Sequence, residues 1–306
     1  MSSELEVVHE TRYAYAAPVS LAHHRAHLRP LEDAGQRLLG FALEIAPVPE
    51  QRRDGQDGFG NGVCHFSLLA PHETLAVRAA SRVRVRPRFA ALEPAAGPRC
   101  GELAERLRYV ARAPFEPAVE FTLPSPYVPR LEVLRHYGQR SLAPARPVAE
   151  AAIELMHRIH ADFRYESRST DVDTPLEQSF EQKRGVCQDF AHLMAGMLRM
   201  AGLPARYVSG YLLTRAPEGG AAMLGADASH AWVQVWCPGT PGVPADGWLD
   251  LDPTNDLVPG SGHVRVAVGR DYGDVTPLRG VIRGGGRHTL TVAVTTRLAG
   301  PVVANA

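Results

Sequence analysis

Lysine is almost missing from this chain. Of its 33 basic residues only Lys183 is a lysine, the other 32 are arginines, and 33 acids balance them to a net charge of zero. The arginines are scattered rather than gathered on one segment, so no phosphate-binding face is expected and no nucleic-acid partner. Long apolar runs are absent too: none approaches the roughly 18 to 20 residues of a membrane span. The opening Met1-Ser2-Ser3-Glu4-Leu5-Glu6 is acidic and has no hydrophobic signal core. A cytoplasmic location with no membrane partner is the expectation. Cysteine is scarce as well. Cys64, Cys100, Cys187 and Cys237 lie far apart with no C-x-x-C spacing, which excludes a zinc knuckle and a disulfide scaffold.

Other candidates for metal or cofactor chemistry fall away by the same reasoning. His23, His24 and His27 have no carboxylate or cysteine partner at ligand spacing and read as solvated histidines. Gly284-Gly285-Gly286 lacks the Lys-Ser/Thr of a phosphate loop and reads as a turn between two strands. Neither a cofactor nor a metal is expected.

What is present describes an ordinary globular protein: 306 residues, 45% apolar and 22% charged. That length accommodates one large domain or two moderate ones. Short alternating runs at Thr11–Tyr15, Leu38–Ile45, Val63–Leu69 and Leu75–Val85, separated by turn formers, predict an antiparallel β-sandwich-like domain over residues 1–90. The Pro/Ala/Gly-rich stretch from Arg86 to Gly101 marks a linker. The second region, 91–306, begins with helices. Val148, Ala152, Leu155 and Ile159 form one apolar stripe behind Pro147, and Phe190, Met194, Met197 and Leu198 form another, stopped by Gly202 and Pro204. Strands follow at 205–213, 230–236, 248–252, 264–268 and 289–296, so the fold class is α+β.

One constellation in this second region carries chemistry. Cys187 follows Arg184-Gly185-Val186 at the start of the second helix. A helix N-terminus favours the thiolate, because unpaired N–H groups and the helix dipole stabilise an anion there. A nucleophile needs a base, and His230 opens the strand Ser229–Trp236. The next strand, Trp248–Asp252, ends in a carboxylate followed by Pro253. Pairing His230 with Asp252 in an antiparallel hairpin centres it on Pro241, inside the turn-rich segment 238–247. Asp250 shares the face of Asp252 at period two and competes with it; the strand-end position favours Asp252. The scheme is a Cys187, His230, Asp252 triad in which imidazole shares the thiol proton and carboxylate holds the imidazole. The Cys187 backbone N–H is the expected oxyanion donor, with Gln188 and Tyr165 as side-chain candidates. Trp232 is the first choice for a substrate contact. Asp189 and His192, in the first turns of the same helix, read as structural.

Four motifs in order, Gly185-Val186-Cys187-Gln188-Asp189-Phe190-Ala191-His192, Gly202-Leu203-Pro204-Ala205-Arg206-Tyr207-Val208-Ser209-Gly210-Tyr211, His230-Ala231-Trp232-Val233 and Leu251-Asp252-Pro253-Thr254-Asn255, resemble the bacterial transglutaminase-like cysteine protease family. His9–Tyr15, Leu28-Arg29-Pro30 and Phe59-Gly60-Asn61 look like that family's N-terminal β domain, and 269–280 like its C-terminal segment. The resemblance implies a papain-like core, a helix-borne cysteine packed on an antiparallel sheet, with Cys187, His230 and Asp252 as its triad. It further implies a peptide or protein amide substrate and a cysteine hydrolase forming a thioester acyl-enzyme. A protein-glutamine transamidase, or a non-catalytic binding protein retaining the fold, are the alternatives.

Overall fold

Alternation of apolar and polar side chains is the dominant pattern of the first 85 residues, and it produces five antiparallel strands. They are β1 (Ser3–Ala26), β2 (Gln36–Ala46), β3 (Gln51–Gln56), β4 (Gly62–Leu68) and β5 (His72–Val85). The structure, a computed structural model, describes residues 2–112, 114–167, 174–213 and 229–299. In β5 every second residue from Leu75 to Val85 is buried, as a sheet with one solvated face requires. The sheet order is β2-β5-β1-β4-β3.

The second region contributes α1 (Cys100–Arg106), α2 (Glu132–Gly138), α3 (Val148–Asp162), β6 (Arg164–Tyr165), α4 (Leu176–Gln182), β7 (Arg184–Gly185) and α5 (Cys187–Met200). After them come β8 (Ala205–Leu212), β9 (His230–Trp236), β10 (Trp248–Leu251), β11 (His263–Gly269) and the single turn α6 (Tyr272–Val275). The predicted stripes are buried: Val148, Ala152, Leu155 and Ile159 on α3, and Phe190, Met194, Met197 and Leu198 on α5. Gly202 ends α5 with φ of 76°. Its N–H reaches Arg199 O and that of Leu203 reaches Leu198 O, which closes the helix in a Schellman motif. α5 packs on β8 and β9 of a four-stranded antiparallel sheet ordered β10-β9-β8-β11. No helix among the described residues is long and apolar enough to cross a membrane.

The chain then returns to its beginning. β12 (Leu278–Gly284) and β13 (His288–Leu298) pair with β1, so these C-terminal strands, expected with the second region, complete the first sheet to seven. β1 makes this possible by its length of 24 residues, serving β5 and β13 along its first half and β4 and β12 along its second.

Side-chain amides join the two sheets. β11 is an edge strand, and an open edge leaves backbone groups to be satisfied. Gln36 donates from Nε2 to Arg265 O at 2.7 Å and accepts the Arg265 N–H at 2.8 Å. Asn61 does the same for Val268, with Nδ2 to O at 2.8 Å and N–H to Oδ1 at 2.8 Å. Both amides are buried. Leu31 and Phe59 cover Val208, Trp232 and Val268, so the first region also roofs one face of the second sheet.

Candidate active site

Cys187 is the first residue of α5, and its position is built by the residues around it. Asp189, in the first turn, accepts the Val186 N–H at 2.8 Å on Oδ2 and the Ser179 hydroxyl at 3.1 Å on Oδ1. It therefore satisfies a helix-end donor, the structural role expected of it. Gly185 lies so close to that carboxylate that a Cβ there would collide with it. β7 pairs in parallel with β6, which places Tyr165 beside Gly185, two residues before Cys187. Cys187 and Gln188 are half-buried. The other three cysteines are buried, and burial pushes their thiols up, to about 12 for Cys64, 11 for Cys100 and 12 for Cys237.

His230 opens β9 and donates from Nε2 to Asp252 Oδ2 at 2.9 Å. Its Nδ1 is buried without a hydrogen-bond partner; the Trp232 and His263 rings flank the imidazole, and Asp252 and Cys187 act on its charge. Burial by itself would push this imidazole down. The Asp252 charge and hydrogen bond, and then Cys187, outweigh burial and hold it well above its ordinary value.

The route to this contact differs from the expected one. β9 and β10 pair Trp248 with Trp236 and Leu251 with Val233, a register two residues away from the one that opposes His230 and Asp252. A slip of two keeps every side chain on its face, so the pair still meets, along a diagonal. Trp232 and Asp250 follow the same diagonal, Nε1 to Oδ1 at 3.1 Å.

The two competing carboxylates are distinguished by their neighbours. Asp250 meets Trp232 and the Arg88 guanidinium at 3.3 Å, and burial pushes its carboxyl up against those charges. Asp252 is wrapped in five donors. Oδ1 accepts Thr254 N–H at 3.0 Å and Asn255 N–H at 3.2 Å; Oδ2 accepts Asn255 Nδ2 at 2.9 Å, His230 and His263 Nε2 at 3.1 Å. Burial would raise its pKa, but the His230 charge and these hydrogen bonds drive it far below the usual carboxylate range.

Trp232, expected to touch substrate, is 0% exposed. Its indole stacks at 6.0 Å on the His230 ring with its N–H spent on Asp250, so it walls the imidazole in and has no surface to offer a ligand. His263 and Asn255 were missed. Their signals were a histidine opening an apolar strand and an asparagine three residues beyond the chosen aspartate, neither of which points to Asp252 without the fold.

His230, Asp252 and His263 form the one group among the described residues whose ligand atoms lie within 4.8 Å of one another, a spacing a metal could use. Both Nε2 atoms already meet Asp252 Oδ2 at hydrogen-bonding distance, so the group is accounted for without an ion. His23, His24 and His27 do not converge: they meet Ser67, the Phe66 ring and Asp57 respectively.

A thiol at a helix N-terminus, beside an imidazole and a carboxylate carried by an antiparallel sheet, is the layout shared by papain-like and transglutaminase-like folds. Residues 5–84 match the bacterial transglutaminase-like N-terminal region, and residues 135–253 match the transglutaminase-like superfamily. An uncharacterized protein of Mycobacterium tuberculosis is 41% identical over 279 residues, spanning 90% of this chain and 86% of the relative. A protein-glutamine gamma-glutamyltransferase of Pseudomonas aeruginosa is 35% identical over 120 residues, 38% of this chain and 17% of that protein. The crystal structure of a candidate cysteine protease from Cytophaga hutchinsonii superposes with a TM-score of 0.72 at 19% identity, covering 98% of this chain and 92% of the other. The chain belongs to the bacterial transglutaminase-like family.

Proposed function

We propose that this protein is a cysteine-dependent amide hydrolase, with Cys187 as nucleophile, His230 as general base and acid, and Asp252 holding the imidazole. The observation that carries the reading is the His230 ring, joined to Asp252 through Nε2 at 2.9 Å and acted on by Cys187. In the first half-reaction the Cys187 sulfur bonds to the amide carbonyl carbon, and the C–N bond breaks. Imidazolium delivers its proton to the departing amine. Water then attacks the thioester, His230 takes a proton from that water, and the acyl group leaves as a carboxylic acid while the thiol is restored. The backbone N–H of Cys187 at the first position of α5 is the main oxyanion donor, with Gln188 or Tyr165 as the side-chain donor. The substrate is a peptide or protein amide.

Transamidation is the second reading, favoured by the 35% identity to a protein-glutamine gamma-glutamyltransferase. It differs only in the acceptor, an amine in place of water. Incubating the protein with a glutamine-containing peptide and a fluorescent primary amine separates the two: ammonia release without amine incorporation is expected, and incorporation exceeding hydrolysis would replace the first reading by the second. Iodoacetamide labelling addresses the shared claim. Cys187 is expected to react at least about 100-fold faster than Cys64, Cys100 or Cys237, since thiolate fraction and access govern the rate. Equal labelling would favour a binding protein that retains the fold.

A further inference from the structure

Three histidine and tryptophan rings converge on one carboxylate region, and only His230 and Asp252 have a role in the proposed reaction. His263 lies on the far side of β8 from His230, on the strand that the first region clamps. Its Nε2 meets Asp252 Oδ2 at 3.1 Å, and it is 4% exposed. Its ring stands edge-on to Trp232 at 5.3 Å, so packing fixes its orientation. β8 lies between β9 and β11, and Gly210 is the β8 residue paired with both His230 and Arg265. A Cβ at Gly210 would strike the Val264 carbonyl oxygen and the Trp232 ring. The missing side chain is therefore what lets the rings meet across the sheet.

We propose that His263 is a positioning residue: it shares the Asp252 carboxylate with His230 and fixes its orientation, and the first region keeps His263 in place by gripping β11 through Gln36 and Asn61. This deepens the proposed function and rests on it. Asp252 sits just past the end of β10, where a bridge to Leu257 holds its backbone and the orientation of its side chain is left to its own hydrogen bonds. Thr254 and Asn255 N–H groups fix Oδ1, while Oδ2 must be aimed along the His230 Nε2 direction. His263 and Asn255 share Oδ2 with His230, at 3.1 and 2.9 Å, and so tie the atom that His230 must meet. His263 touches only Asp252 and the edge of the His230 ring, at 6.3 Å, among the proposed catalytic groups, so its loss changes the turnover step and not substrate binding.

The test compares His263→Leu with His263→Gln in the full chain, using p-nitrophenyl acetate as the acyl probe. Glutamine carries an N–H donor at nearly the reach of Nε2, whereas leucine fills the space without a donor. Leucine is expected to lower kcat about 10- to 100-fold, the range seen when the outer hydrogen-bond partner of a metal-ligating side chain is lost, with KM within twofold; glutamine is expected to restore at least a third of wild-type kcat. Equal kcat in the two variants, or a loss confined to KM, overturns the proposal. A second readout is independent of turnover: the low-field proton resonance of the His230–Asp252 hydrogen bond, expected to persist in the glutamine variant and to broaden or shift in the leucine variant. An unchanged resonance in the leucine variant counts against it. If leucine prevents folding, the glutamine variant decides alone, and kcat below a tenth of wild type refutes the role. A Cys187→Ala control that retains full turnover would bring down the catalytic reading itself, while loss of turnover in that control with no effect at His263 brings down only this proposal.

Discussion

Two histidines of the second region are equally hidden from water and carry opposite charge tendencies. His192 on α5 is 3% exposed and His230 on β9 is 1% exposed. Burial, reinforced by Arg199, pushes the His192 imidazole down to about 3. Its Nε2 accepts the Tyr272 N–H at 3.2 Å, and its ring lies against Tyr127 and Tyr207. At His230 the same burial is overcome by Asp252 and then Cys187. Burial alone therefore does not decide what a histidine does; the carboxylate within hydrogen-bonding reach does. One ring is a neutral structural acceptor. The other is held ready to be an imidazolium next to a thiol.

The largest change should come from removing that carboxylate's charge. Asp252→Asn preserves size and most backbone contacts but leaves the His230 ring without its anion. The ring then loses both its fixed tautomer and its support as a cation. Turnover of the acyl probe is expected to fall on the order of 10³- to 10⁴-fold, as for a serine-protease triad carboxylate. A loss below tenfold would mean that Asp252 is not the partner that separates His230 from His192. The matching change at Asp250, Asp250→Asn, should act on packing around Trp232 and Arg88 and leave turnover within about tenfold, because surface and packing effects reach the reacting atoms only indirectly.

A second change works at a distance, through the contacts that hold the β11 edge of the sheet, across β8 from His230. Asn61→Ala removes an amide that pairs with both the N–H and the carbonyl of Val268. Two buried backbone groups lose their partner, at about 1 to 3 kcal/mol each. Unfolding in urea is expected to show a loss of about 2 to 6 kcal/mol, with His192 and its aromatic neighbours undisturbed in spectra. A stability loss under about 0.5 kcal/mol, the size of an ordinary surface substitution, would show that the clamp contributes little.

These contacts also mark where reading the sequence stops. The places of Cys187, His230 and Asp252 in the fold were legible because each has a local signature: a helix start, a strand start, and a strand end before proline. Their diagonal contact survived a two-residue error in register, since period two protects the face and not the partner. Trp232 was misjudged because a strand pattern marks the face a side chain occupies but not what covers it; here the first region covers it. The Asn61 and Gln36 clamps and the return of β12 and β13 to β1 involve residues more than 200 positions apart, and His263, only 11 residues after Asp252, meets it from the strand at the opposite edge of the sheet from β10. No local period encodes such pairings. They follow from an edge strand that needs partners and a long β1 that offers its whole length.

The smallest effect should come from His192 and reads the comparison through stability. A histidine whose folded pKa is lowered contributes stability that is fully present above its unfolded value of 6.5 and is lost as pH falls through that value toward about 3. Over that window the unfolded chain binds the proton and the native chain does not. His192→Gln removes the titration while its carbonyl oxygen can still accept the Tyr272 N–H. Urea unfolding at pH 6.5, 5.5 and 4.5 should therefore give a flatter line for the variant, by at most about 1.4 kcal/mol per pH unit. The slope should not vanish, because burial also holds His9 and His24 down at about 4. Parallel lines would mean that His192 takes up its proton at the same pH in the native and the unfolded chain, and that burial does not hold it neutral. His230 itself has the opposite sign: its raised pKa contributes stability below 6.5 that fades as pH rises through its folded value. The two rings should thus be separable once the series is extended above neutrality, one acting on the acid side and the other on the alkaline side.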